Sequence, residues 1–161
     1  MTDTISVSVI CALLVLAAWK DWRSRVLPNW LALAILLVAI GSVAIGSDLG
    51  ELGLNLAHFA VALAIGFGLF AAGVIGGGDA KTYAAVAAAV PITEGHLLLA
   101  FTSAAMFVLA AGWFASSYFG RVTKRGVVGN GDVSIRDKYA EVPLGIAIAA
   151  GAICHFWLTR G

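Results

Sequence analysis

Residues 52–81 read LGLNLAHFAVALAIGFGLFAAGVIGGGDAK, a long apolar run ended by three glycines, an aspartate and a lysine. The run from Leu52 to Ile75 is long enough to cross the hydrocarbon core of a membrane, which takes roughly 20 helical residues. Asp79 follows it almost at once. Because a carboxylate beside hydrocarbon is costly unless it is paired, hydrated or neutralised, Asp79 is a candidate functional residue.

The composition indicates a membrane protein along the whole chain. Its 161 residues are 61% hydrophobic and 12% charged, and the mean hydropathy is +0.96. These values exclude a soluble domain built around one core, because most of the surface must face lipid. We therefore predict an all-α, polytopic membrane protein that forms a single integral membrane domain over residues 1–161.

Six apolar segments are predicted to be transmembrane helices. They are Thr4–Trp19, Asn29–Ile45, Leu52–Ile75, Lys81–Val90, Ile92–Tyr118 and Val142–Thr159. The fourth segment is shorter than the roughly 17 residues that a membrane span needs. We expect it either to be re-entrant or to continue through Pro91 and cross at a tilt.

The lysines and arginines predict the orientation of these segments. They follow the first, third and fifth segments, apart from Arg160, and comprise Lys20, Arg23, Arg25, Lys81, Arg121, Lys124, Arg125, Arg136 and Lys138. Since basic connections stay in the cytoplasm, the N-terminus is predicted to lie outside and the fourth segment to cross.

This orientation puts Asp21 and Asp79 on the same membrane face at similar depth. Two neighbouring carboxylates can share a proton and activate a water molecule. Taken singly, Asp79 is explained equally well as a helix N-cap, and Asp21 as a solvated charge near Lys20 and Arg23. Only the two together predict an active site.

Glycines near Asp79 predict a break in the helix. Gly66, Gly68, Gly73 and the run Gly76–Gly78 are expected to let helices approach closely and to let the backbone leave helical geometry. Irregular backbone inside a membrane is tolerated where protein or water satisfies it, so we expect a hydrated pocket beneath Asp79.

Three motifs, in this order, resemble those of the prepilin peptidase family, which are G-x-G-D membrane aspartic proteases. The motifs are Asp21 with Arg23, Arg25 and Leu27-Pro28-Asn29, then Gly76-Gly77-Gly78-Asp79-Ala80-Lys81, then Val142-Pro143-Leu144-Gly145. A second G-x-G-D match, at residues 129–132, lies in a polar connection and is interpreted as a turn. The short chain resembles the minimal branch that serves Flp-type (tight-adherence) pili and has no methyltransferase region.

The resemblance implies an aspartic endopeptidase of the bacterial cytoplasmic (inner) membrane. Such an enzyme removes the basic leader of a type IV-like prepilin or pseudopilin at the cytoplasmic face, so its expected partners are the apolar substrate helix and the bilayer, without nucleic acid. Asp21 and Asp79 match the catalytic pair. No cofactor or metal is expected, because water activated by two carboxylates suffices and the three histidines lack the spacing of a ligand cluster.

Five further residues are predicted to support the pair. Pro28 and Asn29 are expected to open the second helix and fix the turn that carries Asp21. Gly76 and Gly78 belong to the helix break before Asp79. Lys81 is expected to tune Asp79, to meet a substrate carboxylate or to extend its ammonium group toward the lipid headgroups.

Two points are left open by the sequence. Asp21 is expected at a helix C-terminus and Asp79 at a helix N-terminus, and this difference favours Asp21 as the protonated partner. A small ion- or proton-coupled transporter, with Asp79 at a glycine-broken helix, is the alternative function.

Overall fold

The computed structural model describes residues 2–24, 27–124 and 144–160, with side chains for 4–24, 27–112 and 144–159. These residues form α1 (Thr2–Ser24), α2 (Asn29–Gly46), α3 (Leu49–Ala71), α4 (Gly77–Ala87), a short 3-10 helix (Ile92–Glu94), α5 (Gly95–Lys124) and α6 (Leu144–Arg160). The predicted all-α class is confirmed for them. Arg25, the predicted turn at 129–132 and Val142-Pro143 lie outside the described residues.

Within the described part of the chain, four helical stretches are long and apolar enough to cross a membrane. They are Thr4–Ser24, Asn29–Gly46, Leu49–Ala71 and Ile92–Gly112, and Leu144–Thr159 is a shorter apolar helix. The fourth predicted segment corresponds to α4, which has 11 residues. At 1.5 Å per residue α4 extends about 16 Å, roughly half the thickness of the hydrocarbon core.

The short helix α4 is buried among the longer ones. It packs against α2, α3 and α6, and residues 84–90, AAVAAAV, are all buried. Alanine side chains let the surrounding helices approach the α4 backbone closely, which favours association where lipid offers no hydrophobic driving force. Protein therefore surrounds a helix that is too short to cross a bilayer by itself.

The end of α4 lies inside the bundle, where two side chains of α3 satisfy its backbone. Asn55 donates from Nδ2 to the carbonyl of Ala88 at 3.0 Å, and Nδ1 of His58 lies 2.8 Å from the carbonyl of Val90. Because a carbonyl oxygen only accepts, Nδ1 of His58 carries the hydrogen. Both side chains are buried, and they satisfy the carbonyl of the C-cap residue Ala88 and that of Val90 in the turn just after the helix.

The predicted break before Asp79 is present, and Gly73 makes it. Gly73 has φ +72°, and its N–H donates to Phe70 while that of Val74 donates to Leu69. This pattern is a Schellman motif, which ends a helix with a glycine in the left-handed region. The run Gly76–Gly78, to which the break was also attributed, instead provides the N-cap and the first two helical residues of α4.

Close helix approach explains some of the glycines. A Cβ on Gly66 would lie 3.0 Å from that of Ala80, so α3 and α4 touch there, whereas nothing lies within 4 Å of a Cβ placed on Gly68. Between α5 and α6, a Cβ on Gly151 would lie 2.5 Å from Cα of Thr102. Both Gly66 and Gly68 were predicted to allow close helix approach. The prediction is correct for Gly66 and wrong for Gly68.

We expect His58→Leu to lower the free energy of unfolding by about 1–3 kcal/mol, because the carbonyl of Val90 would stay buried without its donor. Denaturant unfolding in detergent micelles measures this. The matched control is His96→Leu, since His96 is exposed on α5. Equal stability of the two variants would contradict the assigned role of His58.

Candidate active site

Asp21 lies in the last turn of α1 and is buried, with 7% of its surface exposed. Its Oδ2 accepts a hydrogen bond of 3.0 Å from the backbone N–H of Gly145, in the first turn of α6. A Cβ on Gly145 would lie 2.8 Å from the same oxygen. Glycine at this position therefore lets the backbone of α6 come close enough to hold the carboxylate.

Asp79 lies in the first turn of α4 and is half-buried. Its carboxylate folds back over the N-cap residue, because a Cβ on Gly76 would lie 2.8 Å from Oδ2 of Asp79. Gly77 packs beneath the ring of Phe70, whose Cε2 would lie 3.3 Å from a Cβ there. Two of the three consecutive glycines thus make room for a carboxylate and for a ring.

The turn between α1 and α2 is fastened to the start of α4. A Cβ on Gly78 would lie 3.0 Å from that of Leu27, and Nζ of Lys81 donates to Oδ1 of Asn29 at 3.1 Å. Pro28 is the N-cap of α2, with φ −72° and ψ 138°, so Pro28 and Asn29 open the second helix as predicted. The chain that follows Asp21 is therefore tied to the helix that carries Asp79.

Asp21 and Asp79 come to the same end of the bundle. Asp79 and Leu144 both line a cavity of 690 Å³, and Leu144 precedes Gly145, whose N–H binds Asp21. In addition, Leu27, six positions after Asp21, packs against Gly78, the residue before Asp79. The two carboxylates thus lie at the same end through contacts on two sides, although 58 positions separate them in the sequence.

The electrostatic environments of the two carboxylates are more alike than the sequence implied. Asp21 is near the C-terminus of α1, as predicted, but it also accepts from the N-terminus of α6. Asp79 is at the N-terminus of α4. Since a helix N-terminus favours negative charge, the N-terminus of α6 offsets the reason for expecting the proton on Asp21.

The neighbouring basic side chains have other contacts. The guanidinium of Arg23 lies 5.8 Å from the ring centroid of Trp19, an arrangement typical of cation–π interaction. As described above, Lys81 donates a hydrogen bond to Asn29. This contact is not one of the three roles that were predicted for Lys81. Both arginine and lysine thereby help to order the surface around the site.

The histidines lie toward the opposite end of the helices. Nε2 of His155 is 3.8 Å from Oε2 of Glu94, and His58 caps α4 there. A larger cavity of 970 Å³ also lies at that end, between Ser and Thr side chains and the carboxylates of Glu51 and Glu94. Neither Asp21 nor Asp79 lines it, so the 690 Å³ cavity is the one that bears on the candidate site.

Gly145 is the site residue whose role sequence reasoning missed. It belongs to the third motif, Val142-Pro143-Leu144-Gly145, to which no contact was assigned. The signal was a small residue at the start of an apolar helix. Its significance depends on which helix end it meets, and that pairing is set by the antiparallel packing of α1 and α6.

Comparison with known proteins identifies the family. The type IV leader peptidase family matches residues 8–111, a segment that contains Asp21 and Asp79 and ends within α5. Neither the curated proteins nor the solved structures contain a match to the chain. Because the family match covers more than half of the 161 residues, this chain belongs to the type IV leader peptidase family.

Proposed function

We propose that this protein is an aspartic endopeptidase that removes the basic leader of type IV-like prepilins or pseudopilins, of the Flp type. Family membership supports a leader peptidase. The observation that carries the choice of Asp21 and Asp79 is their approach to one end of the bundle, through the Gly145 hydrogen bond and the Leu27–Gly78 contact. Among the described residues, Asp21 and Asp79 are the acidic residues that these two contacts bring to that end of the bundle.

Hydrolysis by this pair needs one carboxylate and one carboxylic acid. The carboxylate removes a proton from a water molecule as the water oxygen adds to the scissile carbonyl carbon, while the carboxylic acid protonates the carbonyl oxygen. The resulting gem-diol then collapses. The C–N bond breaks, the leaving nitrogen takes up a proton, and a new carboxyl group and a new amine are released.

The supporting residues act through position. Gly145 orients Oδ2 of Asp21, and Gly76 leaves room for the carboxylate of Asp79. Gly78 and Lys81 join α4 to the turn formed by Leu27, Pro28 and Asn29. A pair held by backbone contacts from several helices needs little rearrangement during the reaction, and such preorganisation is what catalysis by positioning requires.

The proposed setting is the cytoplasmic membrane of a bacterium, with the N-terminus outside and the site at the cytoplasmic face. Support comes from Lys20 and Arg23 near the end of α1 and from Lys81 near the start of α4, close to the end of the bundle where the aspartates lie. In this proposal α4 completes a sixth crossing together with residues 88–94. The substrate approaches as an apolar helix within the bilayer.

Family membership favours this peptidase over the transporter alternative, which requires ion binding near the membrane midplane. Asp79 lies instead at the end of the bundle, beside the α1–α2 turn. Uptake of ions into liposomes that is lost in Asp79→Asn, without any proteolysis by the unchanged protein, would favour the transporter.

We expect Asp21→Asn and Asp79→Asn each to slow leader removal by about 10²–10⁴-fold, the range typical of a lost acid or base. Asparagine keeps the size of the side chain and an oxygen that accepts from Gly145. The assay incubates purified protein in detergent with a prepilin and follows the cleaved product.

The matched control is Asp48→Asn. Asp48 is the N-cap of α3 and accepts from the N–H of Glu51 at 2.8 Å, a role that asparagine fills equally well. We expect this variant to cleave at the unchanged rate. Normal cleavage by either the Asp21 or the Asp79 variant would contradict the proposed pair.

We expect Gly145→Ala to reduce kcat by about tenfold to a hundredfold, because the added Cβ displaces the carboxylate of Asp21 by a fraction of an ångström. Gly53→Ala is the control, since nothing lies within 4 Å of a Cβ at that position. Thermal unfolding in detergent shows whether both variants are folded. Equal kcat values for two folded variants would argue against a positioning role for Gly145.

A further inference from the structure

An apolar groove begins at Asp79 and follows the helices away from it. This groove is the 690 Å³ cavity. Its walls are formed by Val61, Ile65 and Leu69 of α3 and by Leu99, Met106 and Phe107 of α5. Ala80 and Tyr83 of α4 lie between the two walls.

The groove is open on one side along its length. Ile65 is 60% exposed, Leu99 57% and Phe107 75%. The two wall helices pack mainly elsewhere, α3 on α4 and α5 on α6, which leaves the space between them for another molecule. In a bilayer this opening faces the apolar interior, so that an occupant enters sideways without crossing water.

The length of the groove fits a segment of helix. On α3 it extends from His58 to Leu69, and 11 steps of 1.5 Å give about 17 Å, or three helical turns. Its volume equals that of about one and a half turns of a helix 10 Å in diameter. An open groove of this volume and length therefore receives one face of a helix over three turns and leaves the other face to lipid.

Asp79 is the carboxylate that lines the groove, and it lies at one end. Gly66 of α3 touches Ala80, so the Leu69 end of the α3 wall is the end near Asp79, and His96 lies toward the other end. A helix in the groove that begins at the Asp79 end presents the peptide bond before its first turn to that carboxylate. An acyl chain also fits apolar walls, but it offers no bond for Asp79 to act on.

We propose that this groove binds the substrate through the first three turns of the apolar helix that follows the cleaved bond. The inference rests on the proposed leader peptidase function and adds its recognition surface. The helix contacts the α3 and α5 walls with residues spaced three or four apart, as amphipathic helices do in grooves. Specificity for an apolar helix follows because no other charged side chain of the described residues lines the groove.

We expect Ile65→Trp combined with Leu99→Trp to lower kcat/KM for a full-length prepilin at least tenfold, mainly through a higher KM, because the larger rings narrow the groove from both walls. The matched control is Leu37→Trp. Leu37 is a lipid-accessible leucine of α2, 63% exposed, and outside the groove. We expect the Leu37→Trp variant to cleave at the rate of the unchanged protein. The midpoint of thermal unfolding should be similar in all variants.

A second readout does not depend on proteolysis. Benzoyl-phenylalanine in place of Leu99, in the Asp79→Asn background, should form a photoadduct with the prepilin within its first three turns after the leader. The same probe in place of Leu37 should not. Adducts of the Leu99 probe with lipid alone would overturn the groove assignment and identify acyl chains as its occupant.

The outcomes separate the two proposals. If the unchanged protein removes no leader, the proposed function is wrong. If it removes the leader, but the double tryptophan variant matches Leu37→Trp in KM and the Leu99 probe forms no more prepilin adduct than the Leu37 probe, the function stands and the groove assignment is wrong. A lower kcat with an unchanged KM in the double tryptophan variant also overturns the groove assignment, because the walls then do not contribute to binding of the substrate helix.

Discussion

A helix that ends inside a membrane protein must have its last carbonyls satisfied by protein, and this constraint governs the position of α4. Asn55 and His58 of α3 meet it by donating to Ala88 and Val90. Each unsatisfied carbonyl in this apolar interior would cost free energy comparable to a lost hydrogen bond. The two contacts fix α4 along the bundle axis and so set the depth of Asp79, 11 residues before Val90.

The rest of the site follows from how closely other helix ends approach α4. Glycine at 78 allows the α1–α2 turn to pack on α4, and glycine at 145 allows α6 to hold Asp21 by its backbone. Backbone atoms therefore position the carboxylates to a large extent. Glycine is needed at positions 78 and 145 because neighbouring atoms come too close for a larger side chain, and not because the backbone conformation requires it. Gly73 is the exception, because its positive φ ends α3. The groove beside Asp79 joins this rigid end of the bundle to the lipid.

Much of the architecture was predictable because apolar length and charge are local properties. The apolar runs indicated the helices, the fourth run was expected to be re-entrant or to cross at a tilt because of its shortness, and the basic residues beside Asp21 and Asp79 indicated a shared face. What depended on tertiary pairing was not predictable. Asn55 and His58 are visible as polar residues in an apolar run, but their acceptors lie more than 30 positions away. A hydrated pocket was expected beneath Asp79, and the cavity that Asp79 lines in the structure is a mainly apolar groove.

The central claim is that Asp21 and Asp79 meet in one site, and cysteine crosslinking tests it most directly. In a background with Cys11 and Cys154 replaced by alanine, Asp21→Cys and Asp79→Cys are combined and treated in membranes with an oxidant or a short bismaleimide. We expect rapid crosslinking within one chain, and little with the pair Asp48→Cys and Asp79→Cys, because Asp48 caps the start of α3 whereas Asp79 lies in α4, beyond the end of α3. Failure of the first pair to crosslink, when each cysteine alone reacts with a monofunctional maleimide, would contradict the account.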